Sequence, residues 1–256
     1  MDPVTLIGVL IAFGAVLTAL LMEGSSPMSL LLLPALILVF GGTFGATMAG
    51  LTSGDLKKIG GWFKLAVAPK KAADVGGLIA ILVKLAEKAR KEGLLSLEAE
   101  AKKIDDPFLK RGLQMAIDGT DQDDLREILE AEIDARKAEY KVAARFFSDM
   151  GGYSPTIGII GTVVGLIHVL ENLSNPAELG HLIAGAFVAT LWGVMSANVM
   201  WLPMARKIGR SCELDTRAMQ LLVEGISEIL AGTTPRNVRQ KLAALAGPDV
   251  TERKAA

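Results

Sequence analysis

The chain has 256 residues, of which 51% are hydrophobic and 21% are charged, and its formal net charge is −1. The hydrophobic share exceeds that of an ordinary soluble domain, and the near-neutral charge gives no support for nucleic-acid binding. The single cysteine, Cys212, excludes an internal disulfide framework.

The hydrophobic residues are concentrated in four runs that contain no Asp, Glu, Lys or Arg. These runs are residues 3–22, 28–51, 153–170 and 182–203. A helix rises about 1.5 Å per residue, so runs of this length cover about 27 to 36 Å, which matches the hydrocarbon core of a bilayer. The pattern predicts an all-α integral membrane protein with four transmembrane helices, and it disfavours the alternative of four buried helices in a soluble core.

The basic residues predict how these helices are oriented. All 27 Lys and Arg residues lie from Lys57 to Arg145 or from Arg206 onward, and none lies in the loops 23–27 and 171–181. Because Lys and Arg in flanking segments stay on the cytoplasmic side, both loops should face outward and both termini should be cytoplasmic. The first run lacks a basic region before it and a small-residue cleavage pattern, so we expect it to remain as an anchor.

This topology divides the chain into four segments. Residues 1–52 hold transmembrane helices 1 and 2, residues 53–150 form a helical cytoplasmic domain, residues 151–204 hold transmembrane helices 3 and 4, and residues 205–256 form a cytoplasmic C-terminal helix and tail. The fold class is therefore all-α, with a soluble helical domain inserted between the second and third transmembrane helices.

Apolar spacing predicts the helices of the inserted domain. A helix is expected between an N-cap at Asp74 and a stop at Gly93, and another follows the Asp106-Pro107 turn. The buried stripe of the first is Val75, Leu78, Ile79, Leu82, Val83 and Ala86. The longest helix should run from about Asp123 to Ser148, and its inward residues are Leu125, Ile128, Leu129, Ile133 and Tyr140. We expect Gly151 and Gly152 to separate it from the third span, although a nearly continuous helix is also compatible.

The third and fourth spans each carry one face of small residues. These faces are Gly158, Gly161, Thr162 and Gly165, and Ala186, Ala189, Thr190, Gly193 and Ala197. Such faces allow close helix packing in lipid. Thr162 and Thr190 should reach similar depths, about 12 Å from the outer end at 1.5 Å per residue. Two interpretations stay open: the hydroxyls line a polar path for an ion, or they bond back to carbonyls of their own helices.

No carboxylate lies in any of the four runs. An ion relay through a membrane normally uses an ionisable group inside it. If this protein moves ions, a partner must supply the carrier carboxylate.

Enzymatic chemistry and metal binding have no candidate site in the sequence. We find no phosphate-binding glycine loop, nucleophile elbow or zinc-ligand spacing. His168 and His181 are the only histidines, and metal ligation would need more ligands than these two and Glu171 or Glu178. A self-sufficient transporter would need an intramembrane charge or a broken helix with convergent polar groups, and neither is evident.

Four segments of the sequence carry recognisable motifs: residues 89–98 (ARKEGLLSLE), residues 106–112 (DPFLKRG) with 118–121 (DGTD), residues 158–167 (GIIGTVVGLI), and the fourth span through Trp201-Leu202-Pro203. These segments resemble those of the MotA members of the MotA/TolQ/ExbB proton channel superfamily. The resemblance covers nearly the whole chain up to about Gly247. Relatives of the TolQ and ExbB type have three spans with the large segment after the first, so an energiser of outer-membrane processes is the weaker alternative.

The resemblance implies a function and a set of partners. It implies an ion-driven stator subunit of the bacterial flagellar motor in the inner membrane, with five copies around two MotB-type chains. The MotB-type subunit has a single span and carries the aspartate that binds the ion. No cofactor and no enzymatic activity are expected, and membrane lipid and the rotor protein FliG complete the partners.

The resemblance also assigns residues to these roles. Arg90 and Glu98 match the charged pair that contacts FliG, and Thr162 and Thr190 match polar residues facing the partner's aspartate. Pro155, which also borders the ion pathway, and Pro203 match two prolines that couple ion passage to movement.

Ala189 bears on the choice of ion. Sodium-driven relatives tend to carry two adjacent threonines where this chain has Ala189 and Thr190. Because sodium needs several oxygen ligands, the loss of one favours proton coupling. A sodium-driven stator remains the alternative, since Thr162 is shared with that type.

Overall fold

The computed structural model describes residues 3–68 and 73–247, and every regular element among them is helical. The longer helices are α1 (Pro3–Met22), α2 (Leu33–Met48), α3 (Ile59–Val67), α4 (Val75–Glu92), α5 (Pro107–Ile117), α6 (Gln122–Glu171), α7 (Pro176–Ser196), α8 (Leu202–Leu230) and α9 (Pro235–Ala246). Single helical turns lie at Pro27–Leu30, Ser53–Leu56, Leu94–Leu97 and Glu98–Ala101. The all-α prediction is confirmed for these residues.

The chain divides into two compact units. The first comprises the described residues within Met1–Lys70 and Tyr140–Arg210, and the second those within Lys71–Glu139 and Ser211–Ala256. The predicted boundaries after residues 150 and 204 fall inside α6 and inside α8. Residues 248–256 of the predicted tail lie outside the described residues.

Three helical stretches are long and apolar enough to cross a membrane: Pro3–Met22, part of Gln122–Glu171 and part of Glu178–Leu230. The predicted second span is shorter, because α2 covers only Leu33–Met48. Pro27 and Pro34 each lie in the first turn of a separate helical segment. At that position the N–H group that proline lacks would have no acceptor within the helix, so the proline costs no hydrogen bond. The second transmembrane crossing therefore stays a prediction.

Helix α6 is continuous over 50 residues, so the expectation that Gly151 and Gly152 separate two helices is wrong. Gly151 is buried against α8, where an added Cβ would lie 2.5 Å from the Cδ2 atom of Leu202. Tertiary packing therefore outweighs the weak helix propensity of the glycine pair.

The second unit has a core made by α4, α5, the first part of α6, the last part of α8, and α9. Its fully buried side chains include Leu82, Leu97, Leu113, Leu129 and Ile226. The α4 stripe is confirmed, since Ile79, Leu82, Val83 and Ala86 are buried and Val75 and Leu78 pack against them. The placement of Ile128 on the inward face is wrong, because its side chain is 50% exposed, whereas Leu125, Leu129, Ile133 and Tyr140 are buried as predicted.

The first unit packs α2 against α7. Ala35 and Val39 of α2 meet Val188 and Ala189 of α7. Trp192 of α7 donates from Nε1 to the carbonyl of Leu30 at 2.8 Å, which fixes the turn before α2. By contrast, α1 has no buried residue and is apolar all round, as expected of a helix that faces lipid or another chain.

Candidate functional site

The small-residue faces of α6 and α7 are in direct backbone contact. A Cβ added at Gly158 would lie 2.9 Å from the carbonyl oxygen of Ala189 and 3.2 Å from the Cα of Gly193. A Cβ added at Gly165 would lie 2.6 Å from the Cβ of Ala186. Backbone atoms cannot move aside, so the glycines set how closely the two helices approach.

Thr162 and Thr190 meet at this contact. Their Oγ1 atoms are hydrogen-bonded to each other, and both side chains are half-buried. Thr162 Oγ1 lies 3.1 Å from the carbonyl oxygen of Ala186 on the opposite helix, and Thr190 Oγ1 lies 3.3 Å from that of Gly158. The hydroxyls thus bridge the two helices, whereas only Thr162 also reaches a carbonyl of its own helix, Gly158, at 3.3 Å.

The chemistry of this cluster follows from counting its hydrogens. Each hydroxyl supplies one hydrogen and two lone pairs, and each carbonyl supplies only lone pairs. Two hydrogens are therefore shared among four converging oxygens: Thr162 Oγ1, Thr190 Oγ1, and the carbonyls of Gly158 and Ala186. Such a cluster has spare acceptor capacity for a proton donor or a cation, and it carries no charge of its own.

Ala189 is buried beside this cluster. Its side chain is 2% exposed, and its Cβ faces Gly161 of α6, where an added Cβ would come within 2.6 Å. It also belongs to the apolar cluster formed with Val39 of α2. Ala189 therefore packs between α2, α6 and α7, and its side chain offers no oxygen atom to an ion.

The sequence did not single out a second hydroxyl pair on the same seam. Ser154 and Ser196 are fully buried, and their Oγ atoms lie 2.7 Å apart. Ser154 directly precedes Pro155, and Ser196 ends α7. The sequence feature that could have indicated this pair is one serine on each of the two small-residue faces. A single serine in a membrane helix is, however, just as often a small residue that permits close packing, so the feature does not identify a hydrogen-bonded pair.

The two prolines interrupt helical hydrogen bonding without ending the helix. Pro155 lies inside α6, where it removes the donor for the carbonyl of Gly151. Pro203 lies in the first turn of α8, directly after a π-helical turn at Ala197–Trp201, and the N–H of Leu202 donates to the carbonyl of Ala197. The wider turn gives room for the proline ring, so both prolines lie in helices with a local hydrogen-bond defect.

Arg90 and Glu98 belong to the second unit, on either side of the turn at Leu94–Leu97. Both side chains are exposed. Glu98 accepts a hydrogen bond from Lys102 Nζ at 2.9 Å, which lowers the pKa of its carboxyl below the ordinary value. Arg90 forms no ion pair with any other described residue, so its charge is available to a partner.

The described residues contain no group of three or more His, Cys, Asp and Glu side chains that could hold a metal ion. His168 Nδ1 lies 3.6 Å from the Glu171 carboxylate, and both side chains are exposed.

Family comparisons agree with this architecture. Residues 6–93 match the family Motility protein A N-terminal, and residues 100–221 match the MotA/TolQ/ExbB proton channel family. The chain is 36% identical to Motility protein A of Bacillus subtilis over 94% of this chain and 90% of that protein. It is 34% identical to Motility protein A of Borreliella burgdorferi over 94% of this chain and 93% of that protein.

Solved structures match the whole fold. The flagellar MotAB stator complex from Bacillus subtilis matches with a TM-score of 0.91 and 34% identity, covering 99% of this chain and 100% of that one. MotAB from C. jejuni matches with a TM-score of 0.92 and 27% identity, covering 97% of each chain. The chain is thus a membrane-embedded, non-enzymatic protein that belongs to the MotA/TolQ/ExbB proton channel family, among its motility protein A members.

Proposed function

We propose that this chain is the membrane subunit of a flagellar stator, in which ion flow past α6 and α7 produces torque on the rotor. The observation that carries the proposal is the uncharged oxygen cluster around Thr162 and Thr190, in a chain whose four apolar runs contain no carboxylate. Such a surface is suited to receive an ion-binding group from another protein and unsuited to carry an ion alone.

The partner that supplies this group is a MotB-type subunit with one span and an aspartate. Related proteins are solved as MotAB complexes. With the aspartate facing Thr162 and Thr190, a hydroxyl hydrogen turns from its present acceptor to the carboxylate and stabilises its charge, and ion binding removes that charge. The preferred packing of the helices then differs between the two charge states. Pro155 in α6 and Pro203 at the start of α8, with their hydrogen-bond defects, are the points where these helices adjust.

Exposed apolar surface supports assembly with further copies in the membrane. On α6 the side chains of Ile159, Ile160, Val163, Val164 and Ile167 are at least half exposed. Lipid and neighbouring copies cover such surface, and five copies around two MotB-type chains is the arrangement we propose.

Charge distribution supports the orientation in the membrane. We place 1–52 and 151–204 in the bacterial inner membrane as four spans, with both termini, 53–150 and 205–256 in the cytoplasm. Arg90 and Glu98 then face the rotor protein FliG from the cytoplasmic domain.

Motility tests this assignment. The chain, expressed with its MotB-type partner in a motile bacterium that lacks its own stator, should restore swimming. Reversal of the exposed charges in Arg90→Glu or Glu98→Lys should abolish most torque while the complex still purifies intact, because neither side chain is part of the core. Lys110→Glu, also exposed in the second unit, is the control and should swim normally. Normal swimming by both charge reversals would contradict the rotor assignment.

The coupled ion is a proton in this proposal, since Ala189 supplies no oxygen next to Thr190. Swimming should persist when sodium is replaced by potassium, and it should stop when a protonophore collapses the proton gradient. Loss of swimming in sodium-free medium would favour the sodium-driven alternative.

A further inference from the structure

Three basic side chains lie on the surface of the first unit and form no ion pair with another described residue. Lys57 precedes the short helix α3, Lys64 lies within it, and Arg206 lies in the second turn of α8. All three side chains are exposed. These three residues are called the basic collar below.

The acidic residues at this end of the unit do not neutralise the basic collar. The Asp55 carboxylate accepts hydrogen bonds from the hydroxyl of Thr52 at 2.7 Å and from its N–H at 3.2 Å. Asp149 is paired with Arg145 on its own helix at 3.6 Å. The three positive charges of the collar therefore remain available to a partner from outside the described chain.

Aromatic packing holds α3 in place against α6. The rings of Trp62 and Phe146 are 5.4 Å apart, and Trp62 is only 7% exposed. The other face of α3 carries Lys64 and is uncovered, since a Cβ added at Gly60 or Gly61 would meet no other atom within 4 Å. This short helix thus presents a fixed and open basic surface.

Arg206 lies at the same level as the aromatic contact that holds α3. Gly151 packs against Leu202, and Gly165 packs against Ala186. The helix α6 therefore runs antiparallel to α7 and α8. Arg206 follows Leu202 by four residues, and Phe146 precedes Gly151 by five. At 1.5 Å per residue, both lie roughly 6 to 8 Å from the Gly151–Leu202 contact, in the same direction.

This level also marks one end of the apolar helix α1. Lys207, next to Arg206, is hydrogen-bonded through Nζ to the hydroxyl of Thr5 in the first turn of α1. Farther along α1, Phe13 packs against Trp192 of α7, so α1 extends away from the basic collar. The uncharged stretch from Thr5 to Met22 covers about 26 Å, close to the thickness of a hydrocarbon core. The basic collar thus lies where the apolar stretch ends and headgroups would begin.

The sign of the charge identifies the kind of headgroup. The loops 23–27 and 171–181 at the other end of the unit contain Glu23, Glu171 and Glu178 and no Lys or Arg. In the described part of the second unit, acidic residues outnumber basic ones. The positive charge is therefore concentrated at one level, and each Lys or Arg near an anionic membrane surface strengthens association about fivefold.

From this geometry we infer that the basic collar binds the phosphate headgroups of anionic phospholipids. The inference rests on the proposed placement of the first unit in the membrane. The planar guanidinium of Arg206 can donate to two phosphate oxygens, whereas Lys57 and Lys64 act as point charges on the open face of α3. Anionic lipid then covers this face and ties α3 and the start of α8 to the headgroup layer.

Lipid titration of the purified complex tests this inference. The chain with its MotB-type partner is held in neutral detergent, and its thermal unfolding is followed as phosphatidylglycerol is added. We expect phosphatidylglycerol to stabilise the complex, because a ligand that binds the folded state raises its unfolding temperature. Phosphatidylcholine and soluble glycerol phosphate at the same concentrations should not do so. The effect should weaken in 1 M salt, which screens exposed charges.

Removal of the three charges should raise the phosphatidylglycerol concentration at half-maximal stabilisation about tenfold or more. The triple variant is Lys57→Gln, Lys64→Gln and Arg206→Gln. The variant that keeps the charges, Lys57→Arg, Lys64→Arg and Arg206→Lys, should titrate like the wild type. The matched control removes three exposed charges of the second unit, in Lys84→Gln, Lys110→Gln and Arg236→Gln, and should also leave the titration unchanged.

Three results would overturn the inference. Equal stabilisation by phosphatidylcholine would show no preference for anionic lipid, and stabilisation by glycerol phosphate would indicate a site for a free anion. An unchanged titration in the collar variant would assign any preference to other residues. If the wild-type chain fails to restore swimming, the proposed function falls. If it restores swimming and shows no preference for phosphatidylglycerol, only the lipid assignment falls.

Discussion

The hydroxyls of Thr162 and Thr190 lie where two helices are too close for any larger residue. Gly158 and Gly165 allow this approach, and the carbonyls of Gly158 and Ala186 accept from the hydroxyls across the seam. An uncharged cluster of this kind stabilises a neighbouring charge without binding one permanently. Its contribution to ion passage therefore depends on the oxygen atoms and not on the volume of the side chains.

Thr190→Val tests that dependence at nearly constant volume. A hydrogen bond to a charged group contributes about 1.5 to 3 kcal/mol, so loss of the hydroxyl should slow ion flux about tenfold or more. Flux is measured in vesicles that contain the full complex with its partner. The control is Thr18→Val, because the Thr18 hydroxyl bonds back to Gly14 on the exposed helix α1. Equal flux in Thr190→Val and the wild type would leave this threonine with a packing role only.

Residue spacing was sufficient to predict that Thr162 and Thr190 lie at one level, because helical rise is uniform. It could not decide whether the hydroxyls bond within their own helices or across the seam, because that choice depends on the distance between helices. The same limit applied to Ser154 and Ser196, whose pairing depends on which faces meet. Local periodicity carries no information on such contacts.

At the scale of elements, helix ends were predictable where the chain itself supplies the stop. Asp106 accepts from the N–H of Leu109 at 2.8 Å as the N-cap of α5, and Gly93 ends α4 with positive φ. The predicted break at Gly151 and Gly152 was wrong because it rested on the low helix propensity of glycine, which is a local property. The packing of Gly151 against Leu202, which keeps the helix continuous, is a tertiary contact. The shortened α2 has the opposite cause, since Pro27 and Pro34 divide an apolar run that hydropathy alone reads as continuous.

Pro203 and the π-helical turn before it form one structural element. Alanine is about 3 kcal/mol more favourable than proline inside a helix, so Pro203→Ala should restore regular hydrogen bonding and raise the thermal stability of the complex. Torque should nevertheless fall, because the hydrogen-bond defect is removed from the helix that we propose adjusts. Bead-rotation measurements on single motors, combined with thermal unfolding, test both effects.

Pro176→Ala is the control for this change. Pro176 lies at the start of α7, where proline costs no hydrogen bond, and its replacement should affect neither torque nor stability. Normal torque in Pro203→Ala would remove the proline from the coupling mechanism.

In the second unit, a buried carboxylate stabilises the C-terminal helix α9. The side chain of Glu228 is 8% exposed and paired with Lys241 of α9. Burial would raise the pKa of Glu228, but the hydrogen bond from Lys241 and the positive charges of Lys241 and Arg126 lower it overall. Because the pKa is lower in the folded than in the unfolded chain, this stabilisation is complete above about pH 4.3 and is lost as the pH falls through the folded value.

Hydrogen exchange of the α9 amides in the full complex measures this effect. Glu228→Gln should weaken protection by about 2 kcal/mol at neutral pH, and the difference from the wild type should shrink below about pH 4.3. Comparing variants at each pH cancels the intrinsic pH dependence of exchange. A difference that stays constant through the acidic range would assign the effect to packing and not to the charge of Glu228.

At the scale of the whole molecule, the chain combines two properties that no single residue carries. One unit presents uncharged oxygens between α6 and α7, and the other presents exposed charges, among them Arg90 and Glu98. Composition and charge distribution separate the apolar from the charged parts of the chain, because they reflect how each part is solvated. They could not predict that Leu95 is exposed, since its leucine neighbours have the same hydropathy and only packing distinguishes them.

The central claim is that this chain conducts ions only around a carboxylate supplied by its partner. Reconstitution into vesicles tests it most directly, with ion flux measured for the chain alone, for the complex, and for the complex with the partner's aspartate changed to asparagine. We predict selective flux for the wild-type complex alone. Robust selective flux through the purified chain by itself would contradict the account.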